Sequence, residues 1–453
     1  MSTTNTQSST FEQWPQVNLN AAGLDIGASE IWVAVPAARD SQPVRKFETF
    51  TPDLQALTDW LSACGVQTVA MESTGVYWIP IYEMLEARGF QVNLVNARHI
   101  KNVPGRKSDV QDCQWIQRLH SFGLLSASFR PAAEMVALRA YLRHRAELIE
   151  HRAAHIQHMQ KALHQMNVQL PLVLSDITGV TGLAIIRAIV AGQRDPLELA
   201  RLRNPHCASS QDEIAKALTG HYRAEHVFVL KQALAVYDFY TSQLTECDSE
   251  IERQYSAIKP LDDSAEPPPV PPMVDKPNTH SKNAPRFDAR TQLYRITGVD
   301  LVAVPGLHVS TVQTIISEIG IDMSAWRTEK HFCAWLHLAP HNDISGGKVL
   351  RSRVLPSHNR AAQAFRLAAQ SVARTDTALG AYYRSLRARL GPQKAIVATA
   401  HKLARTFYAM LKSKQPYHDL GSEEYERRKR ERELINLKRK AGKLGYTLTQ
   451  QPA

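Results

Sequence analysis

The spacing of hydrophobic and polar positions changes character along the 453 residues. From Ala21 to about Phe129, short β-rich runs alternate with helical ones. Gly23 to Ile26 and Glu30 to Val35 read as a hairpin pair, Val44 to Phe50 as a third strand, Thr68 to Met71 as a fourth and Val92 to Val95 as a fifth. Between them, Leu54, Leu57, Trp60 and Leu61 within Asp53 to Ala63, and Ile81 and Leu85 within Ile79 to Arg88, recur at helical spacing. Three strands followed by alternating helices and strands predict a mixed α/β sheet of modest size.

From about Glu134 the pattern turns to long helices. Leu142, Ile149, Ile156, Leu163 and Leu170 recur every seven residues, with Leu138, Met159 and Met166 at the second seam position and Arg145 and Arg152 interrupting that seam. A second series, Leu230, Tyr237, Leu244 and Ile251, ends before Pro260. The two predict either an antiparallel coiled coil within the chain or pairing of each helix with another subunit. Histidines at 144, 151, 155, 158 and 164 on the first helix include an i, i+4 pair, spacing that serves a metal site or simply a solvated basic face.

Seven prolines between Leu261 and Asp288 mark a linker. Beyond it, Val304-Pro-Gly-Leu-His-Val309 leads into the apolar run Val312 to Ile319. This turn looks like a helix-hairpin-helix element or a plain packing turn. Glu423 to Lys443 is an Arg/Lys/Glu helix with little apolar face, suited to solvent or to a nucleic-acid arm. The resulting division is a disordered N-terminus over 1–20, an α/β domain over 21–130, a helical coiled-coil spacer over 131–260 and a proline-rich linker over 261–290. A mainly α C-terminal domain over 291–418 and a basic tail over 419–453 complete it.

Composition narrows the partner. Lys and Arg total 54 against 43 Asp and Glu, a net charge of +11, which favours a polyanion such as nucleic acid. Five scattered cysteines with no Cys-x-x-Cys pair argue against a disulfide framework or zinc ribbon and fit a reducing cytosol. The polar first residues are no signal peptide, and no apolar run approaches the roughly 18 residues of a membrane span. The expectation is a soluble, cytoplasmic protein with no membrane partner.

The sharpest chemistry lies in Gly23-Leu-Asp-Ile-Gly27, where Asp25 sits inside an apolar strand and needs a compensating partner. Glu72 ends the fourth strand, and Asp109 and Asp112 have the i, i+3 spacing of one helix face. Taken singly, each acid is more often structural, Asp109 as a helix-start carboxylate and Asp112 as an exposed one. Four converging acids would require cations, and oxygen-only ligands suit Mg²⁺ or Mn²⁺ in two-metal phosphodiester chemistry.

This order of elements resembles the RNase H-like fold of Holliday-junction resolvases of the RuvC type. More closely, Gly-Leu-Asp-Ile-Gly27, Met71-Glu-Ser-Thr-Gly-Val-Tyr77, Val95-Asn-Ala97 and Lys107-Ser-Asp-Val-Gln-Asp112 are similar to the DEDD transposases of insertion sequences. That family includes Piv-like DNA invertases and bridge-RNA-guided recombinases. The resemblance continues in Val304-Pro-Gly-Leu-His308, Ser317-Glu-Ile-Gly320, Phe332-Cys-Ala-Trp-Leu-His-Leu-Ala-Pro340 and Ile344-Ser-Gly-Gly-Lys348. The segment Val354-Leu-Pro-Ser-His-Asn359 departs from it, lacking the Lys-x-Gly element often found there.

The resemblance implies a recombinase with Asp25, Glu72, Asp109 and Asp112 as metal-binding catalytic acids and Ser345 as the nucleophile that joins covalently to DNA. It also implies element ends and a target as DNA partners, a structured guide RNA, and a homo-oligomer, a dimer or a dimer of dimers. Arg106, Lys107, Lys348, Arg351, Arg353, His358 and Arg360 are candidate phosphate clamps beside these motifs, with ordinary surface charge as the alternative. A hydrolytic junction nuclease would use the acids without Ser345. An actin-like ATPase would need a second Asp-Gly-Gly loop, and a purely RNA-binding scaffold would not need the acids to converge.

Overall fold

A computed structural model of the chain describes residues 15–73, 75–96, 109–259 and 282–449. Most of the predicted N-terminal tail and of the proline-rich linker lies outside them. The chain divides into two compact units, residues 1–130 and 131–453.

The first unit is a five-stranded mixed sheet: β1 (Ala21–Ile26), β2 (Glu30–Ala34), β3 (Val44–Glu48), β4 (Thr68–Glu72) and β5 (Gln91–Val95), in the order β3-β2-β1-β4-β5. β2 runs antiparallel to β1 and β3, whereas β1, β4 and β5 are parallel. The predicted strands and the two connecting helices, α1 (Thr51–Ala63) and α2 (Trp78–Ala87), therefore appear where their periodicity placed them. Leu24, Ile26, Ile31, Val33, Val69 and Met71 point to one face and bury against Leu54, Leu57, Leu61, Ile81 and Leu85 of those helices. On the opposite face α3 (Asp109–Ser121) packs across β1, β2 and β4. Ile116 there forms a small cluster with Ala70 and Val95.

Among its described residues the second unit is helical apart from one hairpin. α4 (Ala133–Gln165) leads through short helices α5 (Leu170–Val173), α6 (Val180–Val190), α7 (Pro196–Ala200) and α8 (Gln211–Ala217) to α9 (Ala224–Ala257). The long helices pair with each other, antiparallel: Tyr141 meets Cys247, Arg145 meets Asp248, and His151 and His155 both stack on Tyr240 at 5.6 and 5.7 Å. Of the two possibilities left by the heptads, the structure thus has the pairing within the chain. All four members of the second series are buried.

Arg145 and Arg152 do not interrupt the first seam; both are buried within it. The buried Asp248 carboxylate accepts from the Arg145 guanidinium and from the Arg286 backbone N–H at 3.1 Å. Arg145 also donates to the Asn283 carbonyl (3.0 Å) and Arg152 to the Asn283 side chain (2.8 Å). A buried charge persists because every partner is supplied, and here Asn283 and Arg286, at the end of the predicted linker, supply some of them.

The remaining elements are α10 (Ala289–Thr297), α11 (Val309–Ile319), α12 (Glu329–Trp335), β6 (His341–Ser345), β7 (Lys348–Arg353), α13 (Arg360–Ser371), α14 (Ala378–Leu390), α15 (Pro392–Ser413) and α16 (Gly421–Lys443). Their core is aromatic, with Phe332 in contact with Trp326 (5.1 Å) and Phe365 (6.4 Å), and Phe365 with Phe407 (5.4 Å). Gly306 in the Val-Pro-Gly-Leu turn has φ +88°, and a Cβ there would meet the Ala368 carbonyl at 2.6 Å. The turn is shaped by packing against α13, which favours the plain packing turn over a phosphate-facing one. Among the described residues no helix is long and apolar enough to cross a membrane.

Candidate active site

In the first unit, parallel pairing aligns Leu24 of β1 with Met71 of β4, so the residues that follow, Asp25 and Glu72, emerge side by side. The helix bearing the other two acids is brought onto β1 by Gly23. A Cβ at this position would meet the Gln117 backbone nitrogen at 2.2 Å and the Cys113 carbonyl at 2.5 Å. Only a residue without a side chain lets α3 lie directly on the strand.

Electrostatics reports the convergence. The Asp25 carboxyl is pushed up to about 6, first by burial and then by repulsion from Asp112, Asp109 and Glu72 in that order, against one hydrogen bond from the Ile26 backbone that lowers it. All three of the other predicted acids therefore act on Asp25. Cys113, on the same helix, has its thiol pushed up to about 12 by burial and by Asp25, which makes it a packing residue rather than a nucleophile. Among the described residues, no group of three or more His, Cys, Asp or Glu is gathered tightly enough to hold an ion with the side chains as they lie.

Asp25 is also the start of a row across the sheet: Trp32 of β2 lies opposite it and Lys46 of β3 lies opposite Trp32, its ammonium 5.9 Å from the indole ring. Both are tied to Glu30: the Trp32 indole N–H donates to its carboxylate at 3.2 Å and the Lys46 ammonium pairs with it at 3.2 Å. Arg106 and Lys107 lie outside the described residues.

In the second unit Ser345 is the last residue of β6. Gly346 and Gly347 make the two-residue turn with φ +54° and +76°, left-handed values that glycine adopts without a Cβ penalty. The register pairs His341 with Arg353, Asp343 with Arg351 and Ser345 with Lys348, with a bulge between the Asp343 and Ile344 pairs that absorbs Leu350. By strict alternation Lys348 would face away from Arg351 and Arg353. The bulge shifts the parity, so the paired side chains of Ser345, Lys348, Arg351 and Arg353 share one face with Asp343 and His341. Ile344 and Val349 take the other face, 62% and 55% exposed. His358 and Arg360 stand apart from the hairpin, exposed at the start of α13.

Residues 22–168 match the DEDD family model for IS110 elements, described as a transposase. Residues 299–384 match the family described as "Transposase IS116/IS110/IS902 family". Together these spans cover just over half of the chain, which belongs to this DEDD transposase family of insertion sequences. No curated protein matches it. The first span includes all four acids and the second includes the whole Ser345 hairpin. The short helices α5 to α8 and the whole of α9 lie outside both.

Proposed function

We propose that this transposase is a site-specific DNA recombinase that moves its own insertion element, guided by a structured RNA encoded with it, and acts as an assembly of dimers. The observation that carries the chemistry is the raised Asp25 carboxyl, held up in part by three neighbouring acids. Like charge concentrated at the ends of two neighbouring strands and on the helix over them is costly unless cations neutralise it. The all-oxygen donor set fits Mg²⁺ or Mn²⁺. Asp25, Glu72, Asp109 and Asp112 would hold the ions. Once bound, such ions supply charge neutralisation and Lewis acidity at a phosphodiester. The strand order, with β2 antiparallel between β3 and β1, supports an RNase H-like reading of this unit.

Ser345 is the nucleophile in this reading. Its oxygen forms a bond to phosphorus while the bond from phosphorus to the 3′ oxygen breaks, and the departing 3′ hydroxyl ends with the proton that serine gives up. Attack by another strand's 3′ hydroxyl on the phosphoserine reverses the step, restores the serine and conserves the phosphodiester. Lys348, Arg351 and Arg353, on the face of Ser345, would neutralise the non-bridging oxygens. Their common placement supports them more strongly than His358 or Arg360 as clamps. DNA supplies the substrate, and the cationic chain, at +11, suits DNA and RNA alike.

The test is a cleavage reaction with Mg²⁺, a plasmid bearing the element ends, and the flanking RNA, resolved by denaturing electrophoresis. Wild type is expected to give a protein-DNA adduct that is lost in Ser345→Ala and in Asp109→Ala. Cleavage that survives Ser345→Ala without an adduct would overturn the serine and leave hydrolysis. Reaction that proceeds unchanged without RNA would overturn guidance.

A further inference from the structure

α14 and α16 run side by side from a shared start: the Ala378 N–H donates to Asp419 at 3.1 Å, and the Ser422 hydroxyl donates to Asp376. Tyr382 and Tyr425, each about one turn inside its helix, meet edge to face at 6.2 Å. Each is followed seven residues later, two turns on and along the same face, by an arginine, Arg389 and Arg432. α15 packs against α14 and sets the Lys402 ammonium over both rings, 4.3 Å from Tyr382 and 5.5 Å from Tyr425. Arg405 follows Lys402 at i+3, on the same side of its helix.

This cluster is short of negative charge. Three cations earlier on α16 have an acid about one turn away: Arg427 and Arg428 pair with Glu424, and Lys429 with Glu433. Arg405 reaches Glu329 at 3.2 Å. Among the described residues, Arg389, Lys402 and Arg432 pair with no carboxylate. The Lys402 ammonium has only the two rings, and Arg432 donates to the Arg428 carbonyl at 3.1 Å. Lys402 is pushed below its usual value by burial and then by Arg432 and Arg405. Burial pushes the two phenols up, and Arg389 opposes it at both. Cations gathered about a half-buried lysine are costly unless an anion joins them.

The donors define that anion. Ammonium and guanidinium groups only donate hydrogen bonds, and the phenol hydroxyls can donate as well. The rings are engaged by Lys402 and by each other, so the cluster offers charge rather than a stacking face, which suits a phosphate group over a base. A transposase acts on DNA, whose backbone presents such groups. All of these residues except Tyr382 lie beyond residue 384, where the second family match ends.

We propose that α14, α15 and α16 form a phosphate site that takes a backbone phosphodiester of duplex DNA on Lys402, with Arg389, Arg405 and Arg432 as flanking cations. This rests on the DNA substrate of the proposed function and does not depend on the acids, Ser345 or RNA guidance.

Binding of a short DNA duplex of arbitrary sequence to the full-length chain, followed by fluorescence anisotropy over a range of salt, tests this. Each lost phosphate contact lowers the slope of log affinity against log salt by about 0.9. Lys402→Met and Arg432→Gln are each expected to lower it by that amount and to weaken binding severalfold. Lys216→Gln, an exposed cation on α8, is expected to leave the slope unmoved. Lys402→Met keeps the stem and removes a half-buried charge, so it is expected to melt no lower than wild type.

Cluster variants that move the slope no more than Lys216→Gln would overturn the site. A lower melting temperature in Lys402→Met would make the ammonium a packing cation between the tyrosines and overturn it too. Inorganic pyrophosphate separates the sources: if it raises the melting temperature of wild type and not of Lys402→Met, while the duplex slope stays unmoved, the DNA backbone is overturned in favour of a free phosphate ligand. Variants that weaken binding of an RNA duplex and not of DNA would overturn DNA as the partner. The expected slope changes in a chain that gives no adduct would overturn the serine chemistry and leave this site standing, and an adduct with unmoved slopes would do the reverse.

Discussion

The acidic site and the serine hairpin hold their chemistry in opposite settings. Asp25 sits half-buried on a central strand, where its charge is opposed by burial and by three neighbouring carboxylates and where a helix backbone rests on Gly23. Ser345 stands exposed at the tip of a two-stranded hairpin whose geometry is set by two adjacent glycines and one bulge. The first site depends on packing between distant segments. The second depends on local backbone and charge. Substitutions should therefore fail differently in the two places.

The largest expected effect is at the hairpin and is purely chemical. Ser345→Ala should reduce adduct formation by about a thousandfold or more, as loss of a nucleophile does, with an unchanged melting temperature. A melting temperature that falls along with activity would erase the contrast. Gly23→Val should do the reverse of a clean chemical loss. With helix backbone 2.2 Å from the position of a Cβ, α3 must move off β1, costing about 1 to 3 kcal/mol of stability and abolishing cleavage by displacing Asp109 and Asp112. Denaturant unfolding of the variant reads both consequences, and wild-type stability would sink the packing argument.

A third expectation concerns pH in the first unit. His120 is buried, its Nε2 is 2.8 Å from the Thr68 hydroxyl, and burial pushes it down from 6.5 to about 4. Between those values the unfolded chain binds a proton that the folded chain refuses. The stabilisation is complete above pH 6.5 and is lost as the pH falls toward 4, by about 3 kcal/mol. Unfolding midpoints measured over that window should slope downward toward acid, and His120→Gln should flatten the slope.

Metal should separate the two regions more gently. Mg²⁺ or Mn²⁺ at millimolar concentration is expected to raise the melting temperature of wild type by a few degrees and to leave Asp25→Asn unmoved, a readout independent of activity. The smallest effect belongs to the turn. Gly347→Ala, at φ +76°, should cost about 1 kcal/mol confined to the hairpin, slowing adduct formation severalfold without changing the global unfolding midpoint.

How much of this was legible beforehand follows from the range of each cause. Alternation and helical spacing revealed the strands and helices of the first unit, because each element's buried face is written within its own few residues. The heptads revealed two long helices but not their partners, since a seam reads the same whether it is covered from within the chain or from outside. Arg145 and Arg152 looked like breaks in that seam because their compensation, Asp248 and Asn283, lies more than a hundred residues away. The carboxylates could be named by type and spacing, but the action of the other three on Asp25 needed the sheet. Gly23 carried a signal, a glycine inside a strand, that pointed to close approach without saying by what.

The sequence by itself determined the family, the element types of the first unit, the four acids and the Ser-Gly-Gly-Lys element, because those are properties of residue identity and local period. Tertiary structure alone decided that α3 lies on Gly23, that Arg145 and Arg152 belong to a buried polar node, and that Arg351 and Arg353 share the face of Ser345 through one bulged residue. Each of these depends on a second segment of chain approaching to within contact distance. Its identity and register are chosen by packing rather than by any pattern in the residues that wait for it.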